Sequence, residues 1–264
     1  MALIEFNNVG KAFTSRSGAQ FVAVQDFSLQ IQKGEFFCLL GPSGCGKTTV
    51  LGMLAGFAEP TTGRITVDGA TISGPTRDRG VVFQGDDSLF GWLTALDNIE
   101  FGLRLRGLRK GERRDTAMRY LELVGLHGQQ DKFPAELSGG MKQRIQIARA
   151  LANEPKILLM DEPFGALDAQ TREIMQRELR QICTMTGSSV LFITHDIDEA
   201  IALGSRVGIM TAGPAGTLKD VISIELEERS RTDMRYVEYY AKIQGTIRHE
   251  VERATRQHTR RKAA

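Results

Sequence analysis

The 264-residue sequence has few cysteines, the residues that stabilise many secreted and zinc-binding folds. Its three cysteines, Cys38, Cys45 and Cys183, are too few and too scattered for a disulfide framework or a zinc site, and they are typical of a reducing compartment. No apolar run approaches the ~18 residues needed to cross a bilayer. The first residues also contain no apolar export signal. We therefore expect a cytoplasmic protein, whose membrane role would depend on a partner.

A strong excess of charge of either sign is also missing. The chain has 34 Lys and Arg against 32 Asp and Glu, so its formal net charge is only +2. Domains that bind nucleic acid usually have a clear basic excess, and we therefore expect no nucleic-acid partner. With 41% hydrophobic residues, the chain can form a sizeable core. Its length fits one large domain, or one domain with an inserted lobe.

A glycine-rich segment follows the apolar run 36–40, which is predicted to be a buried strand. Residues 41–48 read G-P-S-G-C-G-K-T, the G-x-x-x-x-G-K-[ST] pattern of a phosphate-binding loop. Lys47 would bring a positive charge to the β- and γ-phosphates, and the Thr48 hydroxyl suits Mg²⁺. A helix predicted over residues 47–57 adds its positive N-terminal end. We therefore predict a nucleoside triphosphate site. Its residues are Gly41, Pro42, Ser43, Gly44, Cys45, Gly46, Lys47, Thr48 and Thr49.

Cys45 has a special setting within this loop. It lies at the start of the predicted helix and beside Lys47. Both a helix N-terminus and a neighbouring cation lower the pKa of a thiol. No chemistry of the site requires it, so we interpret Cys45 as a small residue that fills the loop and that could react with alkylating agents.

A second apolar run, residues 157–160, ends in the carboxylates Asp161 and Glu162. An acid at the end of a strand beside a phosphate loop can hold Mg²⁺, which suits Asp161. Glu162 would point differently and is predicted to be the general base that polarises the attacking water. The alternative is a pair of surface acids that open a turn before Pro163. The preceding phosphate loop favours the catalytic interpretation.

Residues 137–141 read L-S-G-G-M, directly before a predicted helix. Ser138 is a good N-cap, and Gly139 and Gly140 would expose backbone N–H groups at the helix start. A plain cap would explain Ser138, but it would not explain two glycines where they weaken a helix. The segment therefore predicts a second phosphate-recognition surface.

Together these segments resemble the ATP-binding-cassette (ABC) ATPases, over about residues 3–210. L-S-G-G-M resembles the family's signature sequence, with Met141 where Gln is commoner. Residues 41–48 resemble its Walker A motif, and residues 157–161 its Walker B motif. The resemblance implies that ATP and Mg²⁺ bind, and that Thr48, Gln84 and Asp161 are the protein groups that reach the metal ion.

The resemblance also implies roles for four further side chains. Gln84 matches the loop glutamine that reaches both Mg²⁺ and the attacking water, and His195 matches the switch histidine that senses the γ-phosphate. Asp168 lies in G-A-L-D, which resembles the loop that crosses to a second subunit, with Gly165 in place of the usual Ser. Phe13 is similar to the aromatic residue that stacks on adenine. The alternatives are a core residue for Phe13, a polar loop residue for Gln84 and a structural histidine for His195.

The implied fold class is α/β. It is a P-loop NTPase core, with a mostly parallel sheet flanked by helices, a small antiparallel β subdomain and an inserted helical subdomain. Alternating and apolar runs agree with it. Residues 1–264 are predicted to form a single ABC ATPase domain. Within it we predict a core with the β lobe at 1–83 and 154–230, a helical signature subdomain at 84–153, and a C-terminal helix and basic tail at 231–264. Residues 253–264 are expected to be frayed.

One phosphate loop and one signature in the chain imply a homodimer with two composite ATP sites. The resemblance further implies an ATPase at the cytoplasmic face of a membrane, bound to integral permease subunits and, through them, to a solute-binding protein. Leu89, Phe90 and Trp92 would dock the permease, although they can also be core of the lobe.

Three sequence segments resemble the nitrate/sulfonate/taurine importer group, with Gly91 where that group usually has Pro. They are Q-x-x-x-x-L-x-x-W-L-T, L-S-G-G-M-K-Q-R and D-E-P-F-G-A-L-D-A-Q-T-R-E. The alternatives are an exporter ATPase and, less in keeping with the sequence, a non-transport ABC ATPase of DNA repair or translation.

Overall fold

The structure is a computed structural model that describes residues 2–15, 18–85, 88–165, 167–226 and 229–263. The strands, numbered along the chain, are β1 (Ala2–Thr14), β2 (Gln20–Gln32), β3 (Phe36–Leu40), β4 (Thr62–Val67), β5 (Ala70–Thr71), β6 (Arg79–Val82), β7 (Ile157–Asp161), β8 (Ser189–Thr194), β9 (Arg206–Met210) and β10 (Leu218–Ser223). The helices are α1 (Lys47–Ala55), α2 (Ala95–Leu105), α3 (Lys110–Leu123), α4 (Gly139–Leu151), α5 (Ala169–Thr186), α6 (Ile197–Leu203) and α7 (Met234–Ala263).

The chain divides into two compact units. Met1–Pro75 and Ser189–Ala264 form one of them, which we call the loop unit because it contains the phosphate-binding pattern. Thr76–Ser188 form the other, the signature unit, which contains L-S-G-G-M. The subdomain boundaries predicted at 83/84 and 153/154 stay predictions.

The loop unit contains a four-stranded antiparallel sheet in the order β2-β1-β4-β5. Over residues 27–32, β2 alternates between buried and exposed positions, as expected where one face of a sheet packs on a core. On the buried face, the rings of Phe6 and Phe27 meet edge to face at 5.2 Å. This sheet is the antiparallel β lobe that the sequence predicts.

The same unit also contains parallel strands. β3 pairs in parallel with both β8 and β9, while β10 pairs antiparallel with β9. Every residue of β3 and β8 is buried, which explains why these segments are continuous apolar runs rather than alternating ones. The combination of parallel strands, helices and a small antiparallel sheet confirms the predicted α/β class.

α1 begins at Lys47 as predicted, but it ends at Ala55 rather than at residue 57. Gly56 stops the helix, because it adopts a left-handed conformation with φ of 83° and donates to carbonyl groups of the last turn. A Cβ at this position would lie 2.3 Å from the backbone of Gly74. The C-terminal end of α1 is therefore set by a glycine that packing also requires.

The signature unit contains the parallel strand pair β6–β7 and the packed helices α2, α3 and α4. The Thr94 hydroxyl caps α2 by accepting from the Asp97 N–H at 3.2 Å. A short 3₁₀ turn at Pro134–Glu136 leads into α4. The predicted helical lobe therefore forms, and its last helix starts at the predicted signature.

The C-terminal helix α7 continues to Ala263, so the predicted fraying from residue 253 is wrong for the backbone. Residues 253–263 contain no Gly or Pro and are rich in Arg, Lys, Gln and Ala, all of which favour helix.

Among the described residues, no helix combines the length and apolar character needed to span a bilayer.

Candidate functional site

The phosphate-binding pattern forms a loop between β3 and α1 in the loop unit. Gly44 and Gly46 have φ values of 77° and 102°, a region that residues with a Cβ rarely adopt. Gly46 is also the N-cap of α1. The loop therefore leads directly to a helix N-terminus, where unsatisfied N–H groups and the helix dipole attract anions.

Packing explains two of the loop glycines. A Cβ at Gly46 would lie 2.7 Å from the carbonyl oxygen of Ala23 and 2.8 Å from Val24 Cγ2, and one at Gly41 would lie 2.9 Å from a neighbouring sulfur. A Cβ at Gly44 would meet no atom of the described chain within 4 Å. The loop is thus held against β2 on one side and is open at Gly44, where a phosphate group can approach the backbone.

Lys47 lies where the pattern predicts. Its side chain is folded into the loop and is only 6% exposed. Its Nζ donates to the carbonyl oxygens of Gly41 at 2.7 Å and Pro42 at 3.2 Å. A phosphate oxygen carries more negative charge than a carbonyl oxygen and is the stronger acceptor. The ammonium can therefore exchange these bonds for bonds to phosphate.

The hydroxyl groups of the loop are accessible. Ser43 and Thr48 are exposed, and Thr49 is half-buried. Hydroxyl oxygen is a hard ligand of the kind that Mg²⁺ accepts. The first turn of α1 contains no acidic side chain, so no carboxylate of that turn competes with a phosphate for the helix end. The loop residues fit a nucleoside triphosphate and its metal ion.

The interpretation of Cys45 as a residue that fills the loop agrees with the structure, but the expected lowering of its thiol pKa is wrong. Cys45 is fully buried, and burial raises the pKa of its thiol, even though the neighbouring Lys47 acts in the opposite direction. Removing a thiolate from water costs more here than the nearby cation offsets. Cys45 therefore fills space beneath the loop, and we expect it to react slowly.

Phe13 lies near the end of β1, opposite Phe21 of β2, and its side chain is 45% exposed. It is therefore available for stacking rather than being core of the sheet. Lys11 Nζ lies 5.2 Å from the centre of the Phe13 ring and donates to the carbonyl oxygen of Glu59 at 2.7 Å. A cation on one face leaves the other face available to a nucleobase.

His195 directly follows β8 and is exposed. The residues on either side of it are fixed. The Thr194 hydroxyl donates to Glu199 Oε2 at 2.6 Å and accepts from the Asp196 N–H at 3.0 Å. Asp196 in turn caps α6 by accepting from the N–H groups of Asp198 and Glu199. The imidazole is thus presented to solvent from an anchored backbone.

In the signature unit, Asp161 is the last residue of β7 and Glu162 follows it. Both side chains are half-buried. Glu162 has φ of 43°, a left-handed conformation that is uncommon for a residue with a Cβ and is found disproportionately at functional sites. Its carbonyl oxygen accepts from the Gly165 N–H at 3.2 Å. The backbone therefore turns sharply at Glu162, directly after Asp161.

Gln84 follows β6 and is exposed. A Cβ at Gly165 would be 4.0 Å from Gln84 Nε2, so the loop after Glu162 lies beside the Gln84 side chain. Within the signature unit, the structure thus brings together Gln84 and the segment that follows the two acids.

Two residues of α4 that we did not predict anchor the segment after Gln84. Gln146 Nε2 donates to the Gly85 carbonyl oxygen at 2.8 Å. Arg149 donates to the Ser88 carbonyl oxygen at 2.9 Å and to its hydroxyl at 3.2 Å. The sequence contains no signal for these contacts, which join residues 61 positions apart. The helix that begins at the signature therefore also holds this loop.

The signature forms the N-terminus of α4. The Ser138 hydroxyl caps the helix by accepting from the Met141 N–H at 3.3 Å. A Cβ at Gly139 would meet no described atom within 4 Å, whereas one at Gly140 would lie 3.1 Å from Thr171 Cγ2. Ser138 and Gly139 are exposed. An open, glycine-rich helix start of this kind can receive a phosphate.

Asp168 lies at the start of α5 and acts as its N-cap. Its Oδ1 accepts from the N–H groups of Gln170 at 3.1 Å and Thr171 at 3.0 Å. The bond from Thr171 is the largest cause of a lowered pKa of this carboxyl. Asp168 is exposed, so the cap does not prevent a second contact. Ala166 of G-A-L-D lies outside the described residues.

The predicted docking residues divide between core and surface. Leu89 is buried, Phe90 is half-buried and Trp92 is 74% exposed. The Phe90 ring lies 5.3 Å from that of Trp92 and 4.5 Å from that of Phe101. The guanidinium of Arg149 lies 5.4 Å from the Phe90 ring. Leu89 is thus core, while Trp92 extends an aromatic cluster to the surface.

Comparisons with known proteins agree with these features. A family model described as ABC transporter matches residues 24–165, more than half of the chain. The nitrate import ATP-binding protein NrtD of Synechocystis sp. is 48% identical over 223 residues, covering 84% of this chain and 83% of NrtD. The taurine import ATP-binding protein TauB of Yersinia pseudotuberculosis is 51% identical over 207 residues, covering 78% of this chain and 80% of TauB.

A solved structure is also similar. The ATP-binding cassette MJ0796, in a dimeric post-hydrolysis state bound to ADP and Pi, superposes with a TM-score of 0.74. It is 32% identical, and the match covers 84% of this chain and 99% of that one. The predicted α/β ABC fold and the predicted ATP cofactor are confirmed. This chain therefore belongs to the ABC transporter family, as one of its ATP-binding proteins.

Proposed function

We propose that this chain is the ATP-hydrolysing subunit of a membrane importer, and that its working form is a dimer closed by ATP. The observation that carries the proposal is the pair of glycine-rich helix starts. One follows the phosphate loop at Lys47, and the other follows Ser138. Each has glycine backbone open to the surface at Gly44 and Gly139, and each can bind phosphate oxygens.

The reaction is the hydrolysis of ATP to ADP and phosphate. Lys47 and the loop N–H groups hold the β- and γ-phosphates, with Phe13 stacked on the base. Thr48, Asp161 and Gln84 would hold Mg²⁺, which would supply positive charge against the phosphates. Those three side chains offer a hydroxyl, a carboxylate and an amide oxygen, which are ligands that Mg²⁺ accepts.

Glu162 is the proposed general base. It takes a proton from water as the water oxygen bonds to the γ-phosphorus and the bond to the bridging oxygen breaks. The left-handed backbone at Glu162 supports this role, because such strain persists where function requires it. His195 donates a hydrogen bond to the γ-phosphate and so distinguishes ATP from ADP.

Two copies are needed because the chain has one loop and one signature. In the proposed dimer, Ser138, Gly139 and Gly140 of one copy face the γ-phosphate on the loop of the other, and Asp168 contacts the partner copy. Loss of the γ-phosphate weakens this contact, since a ligand shifts an equilibrium only through its different affinity for the two states. The similar cassette MJ0796 is dimeric with ADP and Pi bound, which supports the proposal.

Mixing two defective variants tests the composite site. Lys47→Ala removes the loop cation. Gly139→Asp places a negative charge at the signature, where there is space for a side chain. Each variant alone should lack ATPase activity. If every site combines two copies, half of the dimers in a mixture contain one intact site, and about a quarter of the wild-type activity returns. No recovery from two variants that each melt like the wild type would contradict the shared site.

The proposed partner is a pair of integral permease subunits at the cytoplasmic face, where this chain binds peripherally. Trp92 and the cluster around Phe90 offer an aromatic anchor for a permease helix. The solute is proposed to be small and similar to nitrate, a sulfonate or taurine, because the import proteins NrtD and TauB are close in sequence. A solute-binding protein would deliver it from the other side.

Purification from membranes separates the candidate functions. Permease subunits together with a solute-binding protein would support the importer. Permease subunits with no binding protein, and solute moved outward in vesicles, would support the exporter. Ribosomes or DNA would support a non-transport ATPase. Trp92→Ala should release the chain from the membrane fraction, whereas Phe133→Ala, at another exposed aromatic side chain of the same unit, should not.

A further inference from the structure

The short helix α6 is held at both ends by residues 229–236, which we call the latch segment. At the C-terminal end, Arg229 Nη1 donates to the carbonyl oxygen of Gly204 at 2.6 Å and also to that of Ile201. At the N-terminal end, two residues of the latch segment meet Asp198. Tyr236 Oη donates to Asp198 Oδ1 at 2.6 Å, and Arg231 Nη2 lies 3.4 Å from Asp198 Oδ2.

Tyr236 is the firmest part of this contact. It lies in the first turn of α7, which Asp233 caps by accepting from the Arg235 N–H at 2.8 Å. The Tyr236 side chain is 4% exposed, so its ring is immobilised against the core. Burial and the hydrogen bond to Asp198 raise the pKa of its phenol. The hydroxyl is therefore a permanent donor to Asp198 at physiological pH.

Arg231 adds a charge to the same acid. The carboxylate of Asp198 raises the pKa of its guanidinium. The arginine is largely exposed, with 75% of its side chain accessible, and an ion pair of this kind is worth little alone. It neutralises Asp198 while Tyr236 fixes its position. The two contacts are therefore unequal, and the tyrosine is the one to test.

The position of α6 determines the position of His195. His195 lies between Thr194, whose hydroxyl donates to Glu199 of α6, and Asp196, which caps α6. Each neighbour of the histidine is thus bonded to the helix, within the same unit. A shift of α6 would move both anchors and, with them, the imidazole.

We propose that the latch segment sets the position of α6, so that Tyr236 is a positioning residue for His195 and the C-terminal helix controls the rate of ATP hydrolysis. This inference depends on the role proposed above for His195. It adds a function for a part of the chain that contains no nucleotide motif. Any partner or ligand that pulls the latch segment away would slow hydrolysis without touching ATP.

The test is Tyr236→Phe in the full chain, which removes one hydroxyl and keeps the buried ring. Losing a hydrogen bond of ordinary strength should lower kcat about fivefold and leave KM for ATP within about twofold. Hydrogen exchange at the backbone amides of residues 195–203 should become faster by a similar factor. The matched control is Tyr240→Phe, one turn further along α7, which should change neither quantity.

The outcomes separate the latch from the proposed function. Faster exchange together with lower kcat supports the inference. Faster exchange with unchanged kcat shows a structural contact only and overturns it, and unchanged exchange overturns it as well. If His195→Ala hydrolyses ATP at the wild-type rate, the role proposed for His195 is wrong. The exchange measurement would still report whether the latch segment holds α6.

Discussion

Each unit contains a helix start that is proposed to bind phosphate, but the two helix starts differ in their packing. In the loop unit, a Cβ at Gly46 would collide with the backbone of β2, and the neighbouring Lys47 is buried. In the signature unit, a Cβ at Gly139 would meet no described atom, and Ser138 is exposed. The first helix start is shaped by the interior of its own unit. The second is an open surface, which suits its role in the proposed dimer.

The largest predicted effect separates binding from catalysis. Glu162→Gln keeps the size of the side chain but removes the base, so we expect the ATPase rate to fall ~10³-fold with ATP affinity nearly unchanged. Lys47→Ala should instead weaken ATP binding, because the loop loses its cation. Steady-state ATPase assays and calorimetric titration of nucleotide measure the two effects. Glu173→Gln, on the exposed surface of α5, is the control.

If Glu162→Gln hydrolysed ATP at the wild-type rate, the base would have to be sought elsewhere. If Lys47→Ala bound ATP normally, the loop would not be the principal phosphate site. Either result would remove the functional contrast between the two units.

The same substitution at the two helix starts should change stability by very different amounts. Gly46→Ala places a Cβ 2.7 Å from a carbonyl oxygen at φ of 102°, and we expect it to lower the free energy of unfolding by about 3 kcal/mol. Gly139→Ala has space and should change it by less than about 1 kcal/mol. Urea denaturation measures both. Equal losses for the two variants would contradict the difference in construction.

Capping predicts a smaller effect in the signature unit. Ser138→Ala removes the hydroxyl that accepts from the Met141 N–H, which should cost about 1 kcal/mol of stability. Thermal melting compared with Ser138→Asn, which can still cap, measures the loss. Because Ser138 also faces phosphate in the proposed dimer, its ATPase rate should fall more than its stability explains. A loss of stability alone would assign Ser138 to the helix cap only.

The smallest predicted effect is a pH dependence at Asp168. The N–H groups of Thr171 and Gln170 stabilise its charged form, so its pKa is lower in the folded state than in the unfolded state. The stabilisation is therefore present above the unfolded pKa and is lost as pH falls through the folded pKa. NMR titration of this carboxyl should show a midpoint below its ordinary value. Hydrogen exchange at the first backbone amides of α5 should become faster as this carboxyl is protonated. Asp168→Asn, which caps without titrating, should abolish that pH dependence.

Most of the strands and helix starts could be predicted, because they depend on local sequence patterns. β3 has the predicted bounds of 36–40, and α4 starts beside Ser138. The direction of the pKa shift of Cys45 was predicted wrongly, because a motif indicates nearby charges but not how deeply a side chain is buried. The anchors Gln146 and Arg149 were missed, since their partners are 61 residues away in the chain. Contacts of that separation depend on tertiary packing, which no local pattern encodes.

The most direct test of the account is the mass of Glu162→Gln with saturating MgATP. Without hydrolysis, ATP should hold the loop of one copy against the signature of another. Sedimentation should then give twice the 29.2 kDa of one chain, and the chain should return to 29.2 kDa when ADP replaces ATP. A variant that binds ATP and still sediments as a monomer would contradict the composite site.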